Sequence, residues 1–209
     1  MNENTVTHLK NNVTRSRGRP REFDMDQALD KAILVFSERG YHASSINDLT
    51  QAMELAAGSV YKAFKDKRAI FIAAFDRYKL VRNAQLAQAI SSAVTGRAQL
   101  EAALMFYAES AQGAQGILGC LVVNGATELA TFDEEIAQKV RVSLANSEKM
   151  LSGLIAAGKQ DGSIMATADE QVLGRALLSV TQGMRVIGKT GRSREDMQAV
   201  VSAALKMLE

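Results

Sequence analysis

Proline and cysteine are nearly absent from this sequence of 209 residues, which contains one of each, Pro20 and Cys120. Because proline is poorly tolerated inside helices, its scarcity favours helix and argues against a loop-rich β fold. A single cysteine excludes an intramolecular disulfide framework and is typical of a reducing cytoplasm. No apolar run approaches the ~20 residues that a membrane span requires, and the N-terminus is polar, so we expect neither a span nor a signal peptide.

The net charge is only +2, but the basic residues are concentrated near the N-terminus. Residues 10–21 contain five basic side chains and no acidic one, whereas residues 69–209 carry 14 basic and 14 acidic side chains. A basic segment on an otherwise neutral chain indicates a polyanionic partner. Residues 1–21 lack hydrophobic periodicity, so we interpret them as a disordered basic arm. A solvated tail without a partner is the alternative.

Apolar residues recur at helical spacing from Asp24 onward, and no segment is typical of a strand. We therefore predict an all-α chain of about nine helices. The first helix is expected to end at Gly40, Ser44 to cap a short second helix, and residues 57–64 to form a short third helix. A long fourth helix is expected to begin at about Lys67.

Two short helices after a longer supporting helix form the pattern of a helix-turn-helix module, whose second short helix enters the major groove of DNA. Small residues at the start of that helix would let the backbone approach the DNA, and Tyr61 and Lys62 could reach phosphates. Lys67 could add an amide and an ammonium to the same strip. Three helices that only pack together are the alternative. The candidate DNA contacts are Ser44, Ser45, Ala57, Gly58, Ser59, Tyr61, Lys62 and Lys67.

The segment from about 24 to 75 resembles the DNA-binding domain of the TetR/AcrR family of bacterial transcriptional regulators. The resemblance covers about a quarter of the chain. It implies a homodimer with one DNA-reading head per subunit and a C-terminal helical domain that binds an effector. The matching positions are Phe36, Gly40, Tyr41, Ser44, Ser45, Ile46, Leu49, Ala52, Gly58, Tyr61, Phe64 and Lys67.

Two positions depart from the family pattern, and both concern phosphate contacts. Ala56 stands where a serine often caps the recognition helix, and Ala63 stands where a histidine often precedes the final aromatic residue.

We divide the chain into a disordered basic arm at 1–21, a helix-turn-helix DNA-binding domain at 22–67 and a ligand-binding and dimerisation domain at 68–209.

The arm itself contains Arg-Gly-Arg-Pro at 17–20, which resembles the core of segments that enter the minor groove. In such segments arginines insert into narrow A·T-rich grooves, and proline keeps the chain extended. We expect Arg17, Arg19 and Arg21 to add affinity for DNA.

The last two helices carry a wide apolar face with small residues among larger ones, which suits close packing in the monomer core or in a four-helix dimer interface. The resemblance favours the interface. The candidates are Leu177, Val180, Met184, Val201 and Leu205.

Helices between 97 and 190 are expected to enclose an effector pocket with apolar walls and a few polar groups. Tyr107, Asn124 and Gln182 are candidates because each lies on a mostly apolar helix, although ordinary buried polar residues are the alternative.

Cys120 precedes a short helix whose amide dipoles would lower its pKa, so it could sense oxidants or electrophiles by forming an adduct or an intersubunit bridge. An inert buried thiol is the alternative.

Catalytic signals are weak. Gly183–Thr190 fits the phosphate-loop pattern G-x-x-x-x-G-K-[ST], but a helical stripe rather than a strand precedes it, and we interpret the match as accidental. His8 and His42 offer no nucleophile–base pair, and one cysteine with two distant histidines cannot form an ordinary zinc site. We expect no catalysis, cofactor or metal.

The sequence therefore predicts a cytoplasmic, dimeric transcriptional regulator whose partners are an operator DNA duplex, a second copy of the chain and a small-molecule effector. A repressor is the favoured form. A thiol-based sensor acting through Cys120 and a non-specific architectural DNA-binding protein remain as alternatives.

Overall fold

The computed structural model describes residues 24–209. The predicted arm, with Arg17, Arg19 and Arg21, lies outside the described residues. In chain order the helices are α1 (Met25–Ala43), α2 (Ile46–Ala52), α3 (Ala57–Ala63), α4 (Lys67–Ile90), α5 (Gly96–Glu109), α6 (Gly113–Leu118), α7 (Leu121–Glu128), α8 (Glu134–Gln160), α9 (Glu170–Ile187) and α10 (Arg194–Leu205). Two short 3-10 helices, Gly188–Thr190 and Lys206–Leu208, follow α9 and α10.

The all-α prediction is confirmed, since residues 24–209 contain helices and no strand. The sequence predicted about nine helices and the structure has ten α-helices because α6 was missed. This helix has six residues, two of them the glycines Gly113 and Gly116, and a helix so short has no complete apolar stripe. None of the described helices is long and apolar enough to cross a membrane.

The regular part of α1 ends at Gly40, as predicted. This residue has φ 78° and ψ 174°, a conformation that is essentially restricted to glycine. The chain resumes helical geometry for a few residues, to Ala43, and then turns towards α2.

The predicted cap of α2 is wrong by one residue. Ser45, not Ser44, occupies the N-cap: its hydroxyl accepts from the Asp48 amide at 3.1 Å, and the Asp48 carboxylate accepts from the Ser45 amide at 2.8 Å. Ser44 is 3% exposed, and its hydroxyl donates to the Tyr41 carbonyl at 2.8 Å. Two adjacent serines offer the same capping chemistry, so the sequence alone could not select between them.

Two clusters of buried apolar side chains hold the helices together. The first is built around Phe36 and Phe71, whose rings meet edge to face with centroids 5.1 Å apart. It continues through Leu121 of α7 and Ile136 of α8, so the packing runs across the domain boundary proposed at 67 and 68. The second cluster joins α5, α8, α9 and α10.

The residues predicted at a dimer interface lie in this second cluster instead. Leu177, Met184, Val201 and Leu205 are between 0% and 9% exposed, and Val180 is half-buried against the same cluster. The wide apolar face seen in the sequence is therefore part of the monomer core. Helical periodicity identifies a buried face, but it does not distinguish burial within one chain from burial between two chains.

Candidate nucleic-acid interface and internal cavity

Helix α3 is anchored by one buried residue, and most of its other residues are exposed. Val60 is 1% exposed and anchors the helix in the first cluster. Tyr61 is 59% exposed, and Gly58 and Lys62 are also exposed. A Cβ atom added at Gly58 would meet no other atom within 4 Å. The helix therefore presents an open surface that could enter the major groove, which admits an α-helix.

The N-terminus of α3 has no side-chain cap, as the sequence indicated. Ala56 occupies the N-cap, and its carbonyl accepts from the amides of Ser59 and Val60. Ala57 is exposed at the first position of the helix, and Ser59 is half-buried. Small residues thus surround the end of the helix that would approach DNA.

The ammonium of Lys67 is not placed as the phosphate-contact hypothesis expected. It donates to the carbonyls of Tyr41 and Ser44, each at 2.8 Å, and lies 4.3 Å from the centroid of the Tyr41 ring. These carbonyls belong to the last turn of α1 and the connection to α2. Lys67 therefore positions the helix-turn-helix module from within, because its ammonium hydrogen-bonds to two carbonyls of that module. Ser45 is exposed, but its side chain caps α2, and Ser44 is buried.

A contact between α7 and the end of α1 had no signal in the sequence. The Glu128 carboxylate accepts from the amides of Tyr41 at 2.8 Å and His42 at 3.3 Å, while a ring nitrogen of His42 lies 3.3 Å from the Glu128 carbonyl. Because α1 breaks at Gly40, these amides lack the partners that a continuous helix would give them. Glu128 supplies the missing acceptor from 87 residues away in the chain.

Three of the four predicted effector-site residues lie around one cavity. Tyr107 of α5, Cys120 at the start of α7 and Gln182 of α9 line an internal space of about 40 Å³ between α4, α5, α7, α8 and α9. Asn124, by contrast, is outside this lining. Its amide group donates to the Phe36 carbonyl at 3.3 Å, and its side-chain oxygen accepts from Lys189 at 3.2 Å. Asn124 thus fits the alternative of a buried polar residue with local partners.

The Cys120 thiol is 7% exposed and faces a polar part of this cavity. Burial acts to raise its pKa, but the Arg185 guanidinium, the Tyr78 hydroxyl 3.3 Å from Sγ, and the amides of Val123 and Val122 act against it, so the pKa is lowered. The expected effect of the helix amides is therefore present, but Arg185 contributes more. An arginine among the apolar residues of α9 is the sequence signal that would have found it.

Comparison with known proteins decides the family. The profile of bacterial regulatory proteins of the tetR family matches residues 28–74, and the profile of the tetracyclin repressor-like C-terminal domain matches residues 96–204. The HTH-type transcriptional repressor ComR of Escherichia coli (strain K12) is 31% identical over 199 residues, which is 93% of each protein. The chain belongs to the TetR family.

Two other TetR-family proteins match this chain over most of its length. A cysteine mutant of the regulator CifR, solved with 26bp double-strand operator DNA, superimposes with a TM-score of 0.81 at 29% identity over 91% of this chain and 100% of that one. The repressor DhaR of Mycobacterium sp. (strain GP1) is 25% identical over 182 residues, 86% of this chain and 89% of its own. Helices α1 to α3 are thus a TetR-type DNA-binding domain, followed by a C-terminal helical domain.

TetR-family proteins are transcriptional regulators, which confirms that the chain is not an enzyme. The segment that matches the phosphate-loop pattern cannot form such a loop, because Gly183 is inside α9 and Lys189 lies in a 3-10 helix. The Lys189 ammonium donates a hydrogen bond to the Asn124 side chain. Such a loop needs a strand before it and free amides around the phosphate. Among residues 24–209, no group of three His, Cys, Asp or Glu side chains is placed to hold a metal ion.

Proposed function

We propose that this TetR-family protein is a cytoplasmic homodimeric repressor that binds a near-palindromic operator and leaves it when a small molecule binds. The observation that carries the proposal is the open face of α3, where Gly58, Tyr61 and Lys62 are exposed around the anchor Val60. The relatives ComR and DhaR are transcriptional repressors, and the CifR structure contains operator DNA. These likenesses support repression rather than activation.

The surface that we assign to the dimer is the outer face of α9 together with the exposed side of α10. On α9 this face carries Val172, Val186 and Ile187, which are 59%, 52% and 40% exposed. Gly183 lies between them with open space around it, so a partner helix could approach closely. A two-fold axis through such a face would set two α3 helices on half-sites about 34–36 Å, or a multiple, apart.

Helix α7 connects the cavity to the DNA-binding domain. Cys120 at its N-terminus lines the cavity, and Glu128, its last residue, holds the amides of Tyr41 and His42 at the end of α1. A ligand that displaces α7 would therefore move α1 and the helices that follow it. Release requires that the ligand prefer the displaced state, with a coupling free energy of about 1–3 kcal/mol.

Binding to DNA from the chain's own upstream region tests the proposal, with random DNA of equal length for comparison. Fluorescence anisotropy across a salt series should show specific binding of two subunits per site. Tyr61→Ala and Lys62→Ala should each lower the affinity by about tenfold, and Lys62→Ala should reduce the salt slope by about one, because a phosphate contact is lost.

Lys149→Ala serves as the matched control, because Lys149 is an exposed lysine on α8, far from α3 in the chain. Its affinity and salt slope should equal those of the unaltered protein. Equal affinity for the operator and for random DNA would contradict the proposal and support the architectural alternative.

A second function, response to electrophiles through Cys120, is favoured by the environment of the thiol. Arg185 and the Tyr78 hydroxyl stabilise the thiolate, which is the nucleophilic form, and the thiol borders a cavity. Because Cys120 is buried, an adduct formed by a small molecule in the cavity fits the structure better than an intersubunit disulfide.

N-ethylmaleimide tests this second function. Its alkene carbon would form a bond with the Cys120 sulfur, and the other alkene carbon would take up a proton. We expect the treated protein to lose operator affinity by about tenfold or more, since an adduct must displace the tightly packed cavity wall, and Cys120→Ser to be unaffected. Mass spectrometry confirms the adduct. An adduct that leaves operator binding unchanged would exclude the sensor function.

A further inference from the structure

The cavity beside Cys120 is lined by three cationic side chains and by no carboxylate. Lys79 and Arg82 reach it from α4, and Arg185 reaches it from α9. Many arginines elsewhere in the described chain pair with acidic residues, as Arg77 does with Asp26 and Asp30 at 2.7 and 2.9 Å. Within residues 24–209, none of the three cavity cations forms such an ion pair.

Arg185 is the most deeply placed of the three, with 6% of its surface exposed. Its guanidinium donates to the carbonyls of Ser110 and Gly119, and the bond to Gly119 is 2.5 Å long. These neutral acceptors fix the orientation of the guanidinium group but do not compensate its positive charge. A buried charge is costly unless an opposite charge accompanies it, and the residues that line the cavity include none apart from an ionised Cys120.

Arg82 lies next to Arg185 and is held in a similar way. It donates to the Ser110 hydroxyl at 2.5 Å, and its guanidinium carbon is 4.1 Å from the centroid of the Phe106 ring. Burial lowers the pKa of Arg82, and the charge of Arg185 adds to that effect. Burial likewise lowers the pKa of Lys79, whose ammonium forms no hydrogen bond or ion pair within the described part of the chain. Like charges have thus been brought together with no carboxylate beside them.

A larger cavity of about 220 Å³ adjoins the first and shares Tyr78, Arg82 and Arg185 with it. Its other walls come from α1, α4, α6 and the residues that flank α6, and they combine apolar side chains with the polar side chains of Ser37, Gln85, Ser110 and Gln115. Its one carboxylate, Asp30, is already bound by Arg77 at 3.0 and 2.9 Å. The apolar residues in this wall are Ile33, Leu34, Val81 and Leu118.

We propose that the effector of this regulator is a small organic carboxylate, whose carboxylate binds between Lys79, Arg82 and Arg185 and whose apolar body occupies the larger cavity. The proposal rests on the proposed function for the existence of an effector, and it names the chemical class. The smaller space of about 40 Å³ suits a carboxylate group, since a space of about 10–15 Å³ already holds one water. The larger space exceeds the ~150 Å³ that accommodates benzene, so a phenyl or short branched body fits.

Such a ligand would also contact the DNA-binding domain directly. Ile33 and Leu34 lie on α1, two helices before the recognition helix, and they line the larger cavity. An apolar body inserted there would press on α1 while its carboxylate drew the cations of α4 and α9 together. Ligand bulk therefore acts on α1 and ligand charge acts on α4, and both helices pack with α3 in the first cluster.

The test compares three acids with their neutral amides of nearly equal shape: benzoate, 3-phenylpropionate and 4-phenylbutyrate against the corresponding amides. Isothermal titration at pH 7 and constant ionic strength measures binding to the full-length dimer. At least one acid should bind about tenfold or more tightly than its amide, because charge-assisted hydrogen bonds to guanidinium groups are lost in the amide. The same acid should release a labelled operator, and sodium chloride at equal ionic strength should not.

Lys79→Met is the decisive variant, because it removes one charge without breaking any bond within the described chain. It should lower acid affinity about tenfold while leaving the amide unchanged; Arg82→Met should act in the same direction. Arg141→Met, which alters an exposed arginine paired with Glu134 on α8, is the control and should bind like the unaltered protein. Circular dichroism and the melting temperature of each variant establish that it is folded.

Several results would overturn the carboxylate proposal: no acid binding more tightly than about 10 mM, equal affinity for acid and amide, or undiminished acid binding by Lys79→Met and Arg82→Met. In those cases Arg82 and Arg185 have only a structural role, in which their hydrogen bonds connect α4 and α9 to neighbouring segments of the chain. Failure of the proposed function is a separate result, because the ligand-free protein would then bind operator and random DNA equally whether or not it binds the acids.

Discussion

Gly40→Ala should destabilise the protein by about 3 kcal/mol. The native conformation of Gly40, φ 78° and ψ 174°, costs a residue with a side chain on the order of 1–3 kcal/mol. An alanine Cβ would also lie 2.6 and 2.8 Å from the two carboxylate oxygens of Glu128, so that carboxylate would have to move. Its movement would remove the acceptor of the Tyr41 amide and loosen the contact between α7 and α1.

Thermal unfolding followed by circular dichroism measures the effect, at one fixed protein concentration because the chain is expected to dimerise. For a chain of this size 1 kcal/mol shifts the melting temperature by about 2–4 °C, so a fall of roughly 6–12 °C is expected. Gly153→Ala is the control: Gly153 is exposed within α8, and an added Cβ meets no atom within 4 Å. Its melting temperature should stay the same or rise slightly, since alanine favours helix.

The double variant Gly40→Ala with Glu128→Ala separates the two causes. If the backbone conformation dominates, the double variant is at least as unstable as Gly40→Ala. If the overlap with the carboxylate dominates, removing that carboxylate restores part of the stability. A melting temperature of Gly40→Ala equal to that of the unaltered protein would show that neither the conformation nor the contact is present in solution.

Local patterns in the sequence were sufficient for the fold and for the recognition helix. The break at Gly40 and the exposed Tyr61 and Lys62 follow from residues within one or two turns of each other, whereas the missing cap at Ala56 was indicated by the family pattern. Helical periodicity, capping chemistry and glycine act over that range, so one sequence suffices to detect them. The helix missed, α6, was too short for the same signals.

Long-range partners account for what the sequence did not reveal. Asn124 was predicted as a ligand-binding residue because it is polar and lies on an apolar helix. Its side-chain amide instead forms hydrogen bonds with Phe36 and Lys189, each more than 60 residues away in the chain. In the sequence Glu128 resembles an ordinary surface carboxylate, because its hydrogen bond to the Tyr41 amide at the end of α1 forms only in the folded chain. The apolar face of α9 raised the same difficulty, because burial by α8 or by a second subunit gives the same pattern.

Lys67 gives the sharpest test of that distinction. The sequence hypothesis places its ammonium on a DNA phosphate, whereas the structure places it on the carbonyls of Tyr41 and Ser44. Lys67→Met should therefore destabilise the protein by about 2 kcal/mol, since hydrogen bonds from a charged donor contribute about 1.5–3 kcal/mol. Operator affinity should fall because α2 and α3 lose their support at the end of α1, and not because a phosphate contact disappears.

The salt dependence of operator binding separates the two accounts. Each phosphate contact contributes about 0.9 to the slope of log K against log salt, so Lys67→Met should keep the slope of the unaltered protein while Lys62→Ala reduces it by about one. Lys65→Met is the control for stability, because Lys65 is exposed just before α4 and its replacement should change the unfolding free energy by less than about 0.5 kcal/mol. A reduced slope with unchanged stability in Lys67→Met would instead mean that the ammonium leaves Tyr41 and Ser44 and reaches the DNA backbone when the operator binds.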